Sequence, residues 1–80
     1  MINKELTEAI GSEMRRQRII KKKTLQEVGN YLGLSKNTIS YYELGKIAIH
    51  IDMLNEYCNY LGINYITLLQ TVQNNMHRHE

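Results

Sequence analysis

Apolar residues recur at intervals of three and four along most of this chain, and glycines interrupt the pattern. Leu6, Ala9, Ile10 and Met14 follow helical spacing and Ile19 or Ile20 continues it, which predicts a first helix from about Leu6 to Lys21. Thr24-Leu25-Gln26-Glu27 reads as a capping box, with Thr24 as N-cap and Glu27 reaching back to its amide. Behind it Leu25, Val28 and Leu32 form one stripe, and Gly33 ends this second helix. Ser35 caps a third helix that carries Ile39 and Tyr42 inward and stops at Gly45. A fourth, roughly Ile51 to Leu61, presents Ile51, Leu54, Tyr57, Cys58 and Leu61 on one side before Gly62. Asn64 is placed to cap a fifth, in which Tyr65, Leu68, Leu69 and Val72 are apolar. No segment alternates with period two for long enough to make a sheet. The expected fold class is all-α, five helices in one domain over residues 1–72, with residues 73–80 as a frayed tail.

Composition narrows the function classes. At 80 residues the chain is one domain, near the lower limit for a core of its own. With no Pro, Phe or Trp, that core must come from aliphatic side chains, Met and the six Tyr. The single Cys58 leaves no disulfide framework and too few thiols for structural zinc, which points to a reducing, cytoplasmic setting. Apolar runs of two or three residues are too short to span a membrane, and no signal-peptide stretch opens the chain. The formal charge is only +2, but it is unevenly placed. Residues 1–48 hold nine basic side chains against five acidic ones, a net +4; residues 49–80 hold one against three, a net −2. A basic front is the electrostatic footprint of a phosphate-backbone binder, although a solvated helix face can carry the same charge.

Thr24 to Lys46 is the informative segment: a short helix, a turn containing Gly33, then a second short helix, the order of a DNA-binding helix-turn-helix. A plain helical hairpin would share the apolar residues but would not require Gly29 for close approach, Gly33 for positive φ and the Ser35 cap together. On a wheel of about 100° per residue, Lys36, Asn37, Ser40, Tyr41 and Leu44 fall within about 140° of one another, opposite Ile39 and Tyr42. Lys36, Asn37, Ser40 and Tyr41 are therefore the expected base contacts. Asn37 suits an adenine edge, Lys36 guanine acceptors, and the Tyr41 ring a thymine methyl. Ser35 and Thr38 are expected as caps or phosphate contacts, and Arg16 and Lys46 as phosphate contacts.

From Ile10 to Leu69 the chain resembles the phage-repressor type of helix-turn-helix domain, the Cro and lambda-repressor or XRE family. The resemblance rests on Thr24-Leu25-Gln26-Glu27-Val28-Gly29, Leu32-Gly33-Leu34-Ser35, Thr38-Ile39-Ser40, Glu43-Leu44-Gly45-Lys46 and Leu61-Gly62-Ile63, all in register. It implies a five-helix domain that binds operator DNA as a dimer and regulates transcription. It also implies an ion pair between Arg18 of the first helix and Glu43 after the recognition helix. The chain departs from the family in several places. Leu25 replaces the family's phosphate-contacting glutamine, which leaves that work to Gln26 or Thr24. Gly29 stands where alanine is typical, Lys21-Lys22-Lys23 where a glycine is usual, and Ile49-His50 where proline and a cap are usual. Leu44 takes a position that is often polar.

No nucleophile set, paired carboxylates, Walker loop or HExxH appears, so no enzyme, cofactor or metal is expected. Cys58 reads as a core residue and His77-Arg78-His79-Glu80 as a frayed end rather than a metal site. One recognition helix touches too few base pairs for specific binding, so a twofold homodimer on a palindromic operator is expected. The rear supplies its surface: Ile63, Tyr65, Ile66, Leu69 and Val72. The leading expectation is a repressor that reads double-stranded DNA with the helix at 35–44. The alternative is an antitoxin or other protein-interaction module with DNA binding secondary.

Overall fold

The computed structural model describes residues 3–77, which form five helices: α1 (Lys4–Ile20), α2 (Leu25–Leu32), α3 (Lys36–Leu44), α4 (Ile51–Leu61) and α5 (Tyr65–His77). No strand occurs among the described residues, and no helix there is long and apolar enough to cross a membrane. α1 is the spine, with α3 and α5 packed against it; α2 sits on α3, and α4 closes the bundle against α2 and α5. Met14, Val28, Ile39, Leu54, Tyr57, Cys58, Leu61, Leu68 and Val72 form a single buried core drawn from all five helices. Tyr57 is the largest fully buried side chain, the role that Phe or Trp would otherwise fill.

Helix ends follow local chemistry. Asn3 accepts from the Leu6 amide at 3.0 Å, so α1 starts at Lys4, earlier than the apolar pattern indicates. Asn64 accepts from the Ile66 and Thr67 amides at 2.8 and 3.3 Å and opens α5. That helix continues past Val72 to His77, where the sequence suggests a frayed end. Arg78, His79 and Glu80 of the C-terminal motif lie outside the described residues.

Several apolar positions are not where periodicity puts them. Ile51 is 57 % exposed rather than on the inner face of α4, and Leu6, Ile19 and Ile20 are also exposed. In exchange α1 buries Glu13 and Arg18, two charged residues that a hydrophobic pattern assigns to solvent. Cys58 is buried, and burial alone lifts its thiol pKa to about 11. The thiol packs within the core among Leu54, Tyr57 and Leu61, as the sequence suggests.

Candidate nucleic-acid interface

The α2-turn-α3 unit is built from short-range bonds. The Thr24 hydroxyl accepts from the Glu27 amide at 3.0 Å, and the Glu27 carboxylate accepts from the Thr24 amide at 2.9 Å. The bond from the Thr24 backbone amide, with the Thr24 side chain second, holds the Glu27 carboxyl below its usual 4.5. Gly33 takes the left-handed conformation (φ 71°) that turns the chain, and two residues later Ser35 caps α3. The Ser35 hydroxyl accepts from the Thr38 amide at 3.1 Å and lies 2.9 Å from the Thr38 hydroxyl. The tightness of the corner depends on Gly29. A Cβ there would meet the Leu34 carbonyl oxygen at 2.5 Å, inside any tolerable contact. Alanine, typical of the family at this point, would force the turn open here.

α3 buries Ile39 and half-buries Tyr42, which leaves the opposite face outward. Lys36, Asn37, Tyr41 and Leu44 are exposed on that face, with Ser40 half-buried between them. The Lys46 ammonium sits 5.7 Å from the centre of the Tyr41 ring, so the first cation past α3 borders the same face. Thr24 and Gln26 are exposed at the start of α2, and the Gln26 amide donates to Asn30 at 2.9 Å. Ser35 is exposed and Thr38 half-buried at the start of α3.

Behind this face lies a buried charge cluster. The Arg18 guanidinium donates from Nε to Glu43 Oε2 at 2.8 Å and from Nη2 to Glu43 Oε1 at 3.0 Å, a two-pronged pair between α1 and the end of α3. Its Nη1 donates to the Lys23 carbonyl at 2.8 Å, which ties the α1–α2 loop to the same group. The hydrogen bonds to Glu43 raise the Arg18 pKa. The Tyr57 hydroxyl, from α4, lies 2.7 Å from Glu43 Oε2 and 2.9 Å from the Met14 carbonyl oxygen. Burial first, and the adjacent Glu43 carboxylate second, push its pKa strongly upward, so the hydroxyl keeps its proton and remains a donor. No buried side-chain polar atom among the described residues lacks a partner.

Two expected site residues are relocated by the structure. Arg16 is bonded to the buried carboxylate of Glu13 at 3.0 and 2.9 Å. At about 100° per residue it lies some 140–160° around α1 from Gly11 and Arg18, the residues that meet α3. It therefore belongs to the far flank, not beside the recognition face. Burial opposes the charge on Glu13, but the bonds from Arg16 and Gln17 outweigh it and lower its pKa. Val72, expected at a pairing surface, is 2 % exposed because it fills the core between α5 and its neighbours. Ile66 is 52 % exposed, and Ile63, Tyr65 and Leu69 are half-buried. Among the described residues no three His, Cys, Asp or Glu side chains are grouped as metal ligands.

A helix-turn-helix domain model matches residues 11–74, most of the chain. The chain belongs to the helix-turn-helix domain family. Its structure is similar to two crystal structures of the clp gene regulator ClgR from Corynebacterium glutamicum. One is 27 % identical with a TM-score of 0.87, covering 92 % of this chain and 79 % of that one. The other is 28 % identical with a TM-score of 0.83, covering 89 % of this chain and 92 % of that one. Among curated proteins none matches. In this helix-turn-helix chain the signals missing from the sequence are long-range. Nothing local marks Tyr57 as the partner of Glu43, 14 residues away, or Glu13 as buried. The pair of Arg18 and Glu43, which the resemblance implied, was the one long-range contact in view, and Lys22 adopts φ 59° in the loop where a glycine was expected.

Proposed function

We propose that this chain is a sequence-specific DNA-binding transcription regulator, a repressor that reads a palindromic operator as a homodimer with α3 in the major groove. One observation carries the reading. Lys36, Asn37, Ser40 and Tyr41 share the outward face of a helix that is fastened from behind by Arg18 and Glu43. Rigidly held hydrogen-bonding side chains on one face are what base-edge readout needs. Lys46, Thr24, Gln26, Ser35 and Thr38 surround that face and supply phosphate contacts, which position a reader without specifying sequence. The match to a gene regulator supports the regulatory role. Operator occupancy by a dimer blocks whatever overlaps the site, hence repression.

Selection of bound sequences from a random duplex pool tests binding, palindromy and half-site spacing together. An enriched inverted repeat with half-sites about 34 Å apart, or a multiple of that, is expected. On the selected operator, Asn37→Ala should cost about 1–3 kcal/mol and relax preference at one base position. Lys46→Ala should weaken operator and random duplex alike and flatten the salt dependence. A pool with no enriched sequence, or an Asn37→Ala profile identical to the parent's, overturns the assignment of the face.

A further inference from the structure

We infer that Tyr57, on α4 and outside the helix-turn-helix unit, is a positioning residue for the recognition helix, acting through Glu43. The inference rests on the DNA-reading role proposed above for α3. Glu43 is one residue from the end of α3, and its carboxylate is clamped from two sides. Arg18 of α1 takes both oxygens, and Tyr57 of α4 takes Oε2 from the other direction at 2.7 Å. The two-pronged pair ties Glu43 to α1 alone, in the plane of the guanidinium. The third bond comes from a different helix and ties the same carboxylate to α4 as well, which adds a restraint on the angle of α3. The Tyr57 ring is itself immobile, being wholly buried in the core. Its hydroxyl has one proton and two acceptors in reach, the Glu43 carboxylate and the Met14 carbonyl. The shorter contact is to the charged acceptor, where the bond is stronger. Because the Met14 carbonyl belongs to α1, the same oxygen atom sits at the junction of α1, α3 and α4.

Such a clamp affects the two components of DNA binding differently. Base readout requires Asn37 and Lys36 at a fixed angle to the groove, whereas phosphate contacts tolerate small rotations. Removing the hydroxyl should therefore lower operator affinity selectively.

The test is Tyr57→Phe, which keeps the ring and deletes only the donor. Dissociation constants are measured for the selected operator and for random duplex, and their ratio is the readout. Partial unfolding scales both constants by the same factor, so a purely structural role leaves the ratio unchanged. Loss of one bond to a charged group predicts a fall in the ratio of about tenfold. In a Glu43→Gln background the same substitution should have a much smaller effect, since the residue acts through that carboxylate. An unchanged ratio in Tyr57→Phe, or an equal fall in both backgrounds, overturns the inference. Absence of any operator preference in the parent protein instead overturns the DNA-reading role, so the two failures are separable.

Discussion

Lys22 holds a left-handed backbone conformation, φ 59°, between α1 and α2, and no other non-glycine residue described does so. The conformation is imposed from both sides. The Lys22 amide donates to the Ile19 carbonyl and the Lys23 amide to the Arg18 carbonyl, at 3.0 and 3.1 Å, which closes the end of α1. Arg18 then holds the Lys23 carbonyl. A side chain in this region costs roughly 1–3 kcal/mol of backbone strain, and glycine would remove it. Glycine also loses about 0.5–1 kcal/mol through its freer unfolded chain. Lys22→Gly is therefore expected to raise stability by a modest margin, about 1 kcal/mol, read as a higher midpoint in urea unfolding. A lowered midpoint would mean that the Lys22 side chain supplies more than its backbone costs. At this scale the sequence was partly legible: the missing loop glycine was visible in Lys21-Lys22-Lys23, but which lysine carries the strain was not.

Between elements, the decisive contact is the crossing of α1 and α3. Gly11 is buried there, and a Cβ built on it would run into the Tyr42 and Glu43 carbonyl oxygens, the latter at 2.6 Å. Those carbonyls are backbone at the end of a helix and cannot swing aside. The crossing distance sets where Glu43 meets Arg18, so a wider crossing would also stretch the buried pair. Gly11→Ala should destabilise the fold by about 2 kcal/mol or more despite alanine's better helix propensity. Equilibrium denaturation checks this, and a stabilised variant would show that the helices can separate at little cost. Periodicity predicts that α1 and α3 exist. It says nothing about which of their residues approach, because a glycine in a helix looks like a weak spot until the partner backbone is in view. Caps were better read: Thr24, Ser35 and Asn64 act within three residues of themselves, so their chemistry is complete in the local sequence.

Along the chain the charge divides between residues 1–48, net +4, which include α3, and residues 49–80, net −2, which include α5. The latter segment carries the proposed pairing surface. Its centre is Ile66, exposed, with Ile63, Tyr65 and Leu69 half-buried beside it. Because Ile66 is exposed and contributes little to the core, Ile66→Glu should leave the helical content intact while splitting the dimer. Sedimentation should report a dimer for the parent at micromolar concentration and a monomer for the variant, with operator affinity falling as the dimer is lost. A parent that is monomeric both free and on DNA would remove pairing from the proposal. Burial of Val72 narrows this surface relative to what apolarity alone suggests, since only the assembled core shows which apolar residues of α5 are already used.

The sequence by itself determined the number and order of the five helices, the start signals of α2, α3 and α5, the helix-turn-helix at α2 and α3, and the outward face of α3. These depend on spacing, caps and turn glycines, which act over a few residues. The pair of Arg18 and Glu43 was implied by the family resemblance, but tertiary structure alone decided that Glu13 is buried and bonded to Arg16, that Ile51 is exposed, and that Tyr57 completes the clamp on Glu43. A hydrophobic pattern scores each residue by its own polarity. Whether a charge can be buried depends on a partner brought from elsewhere in the chain, and that partner exists only once the helices have packed.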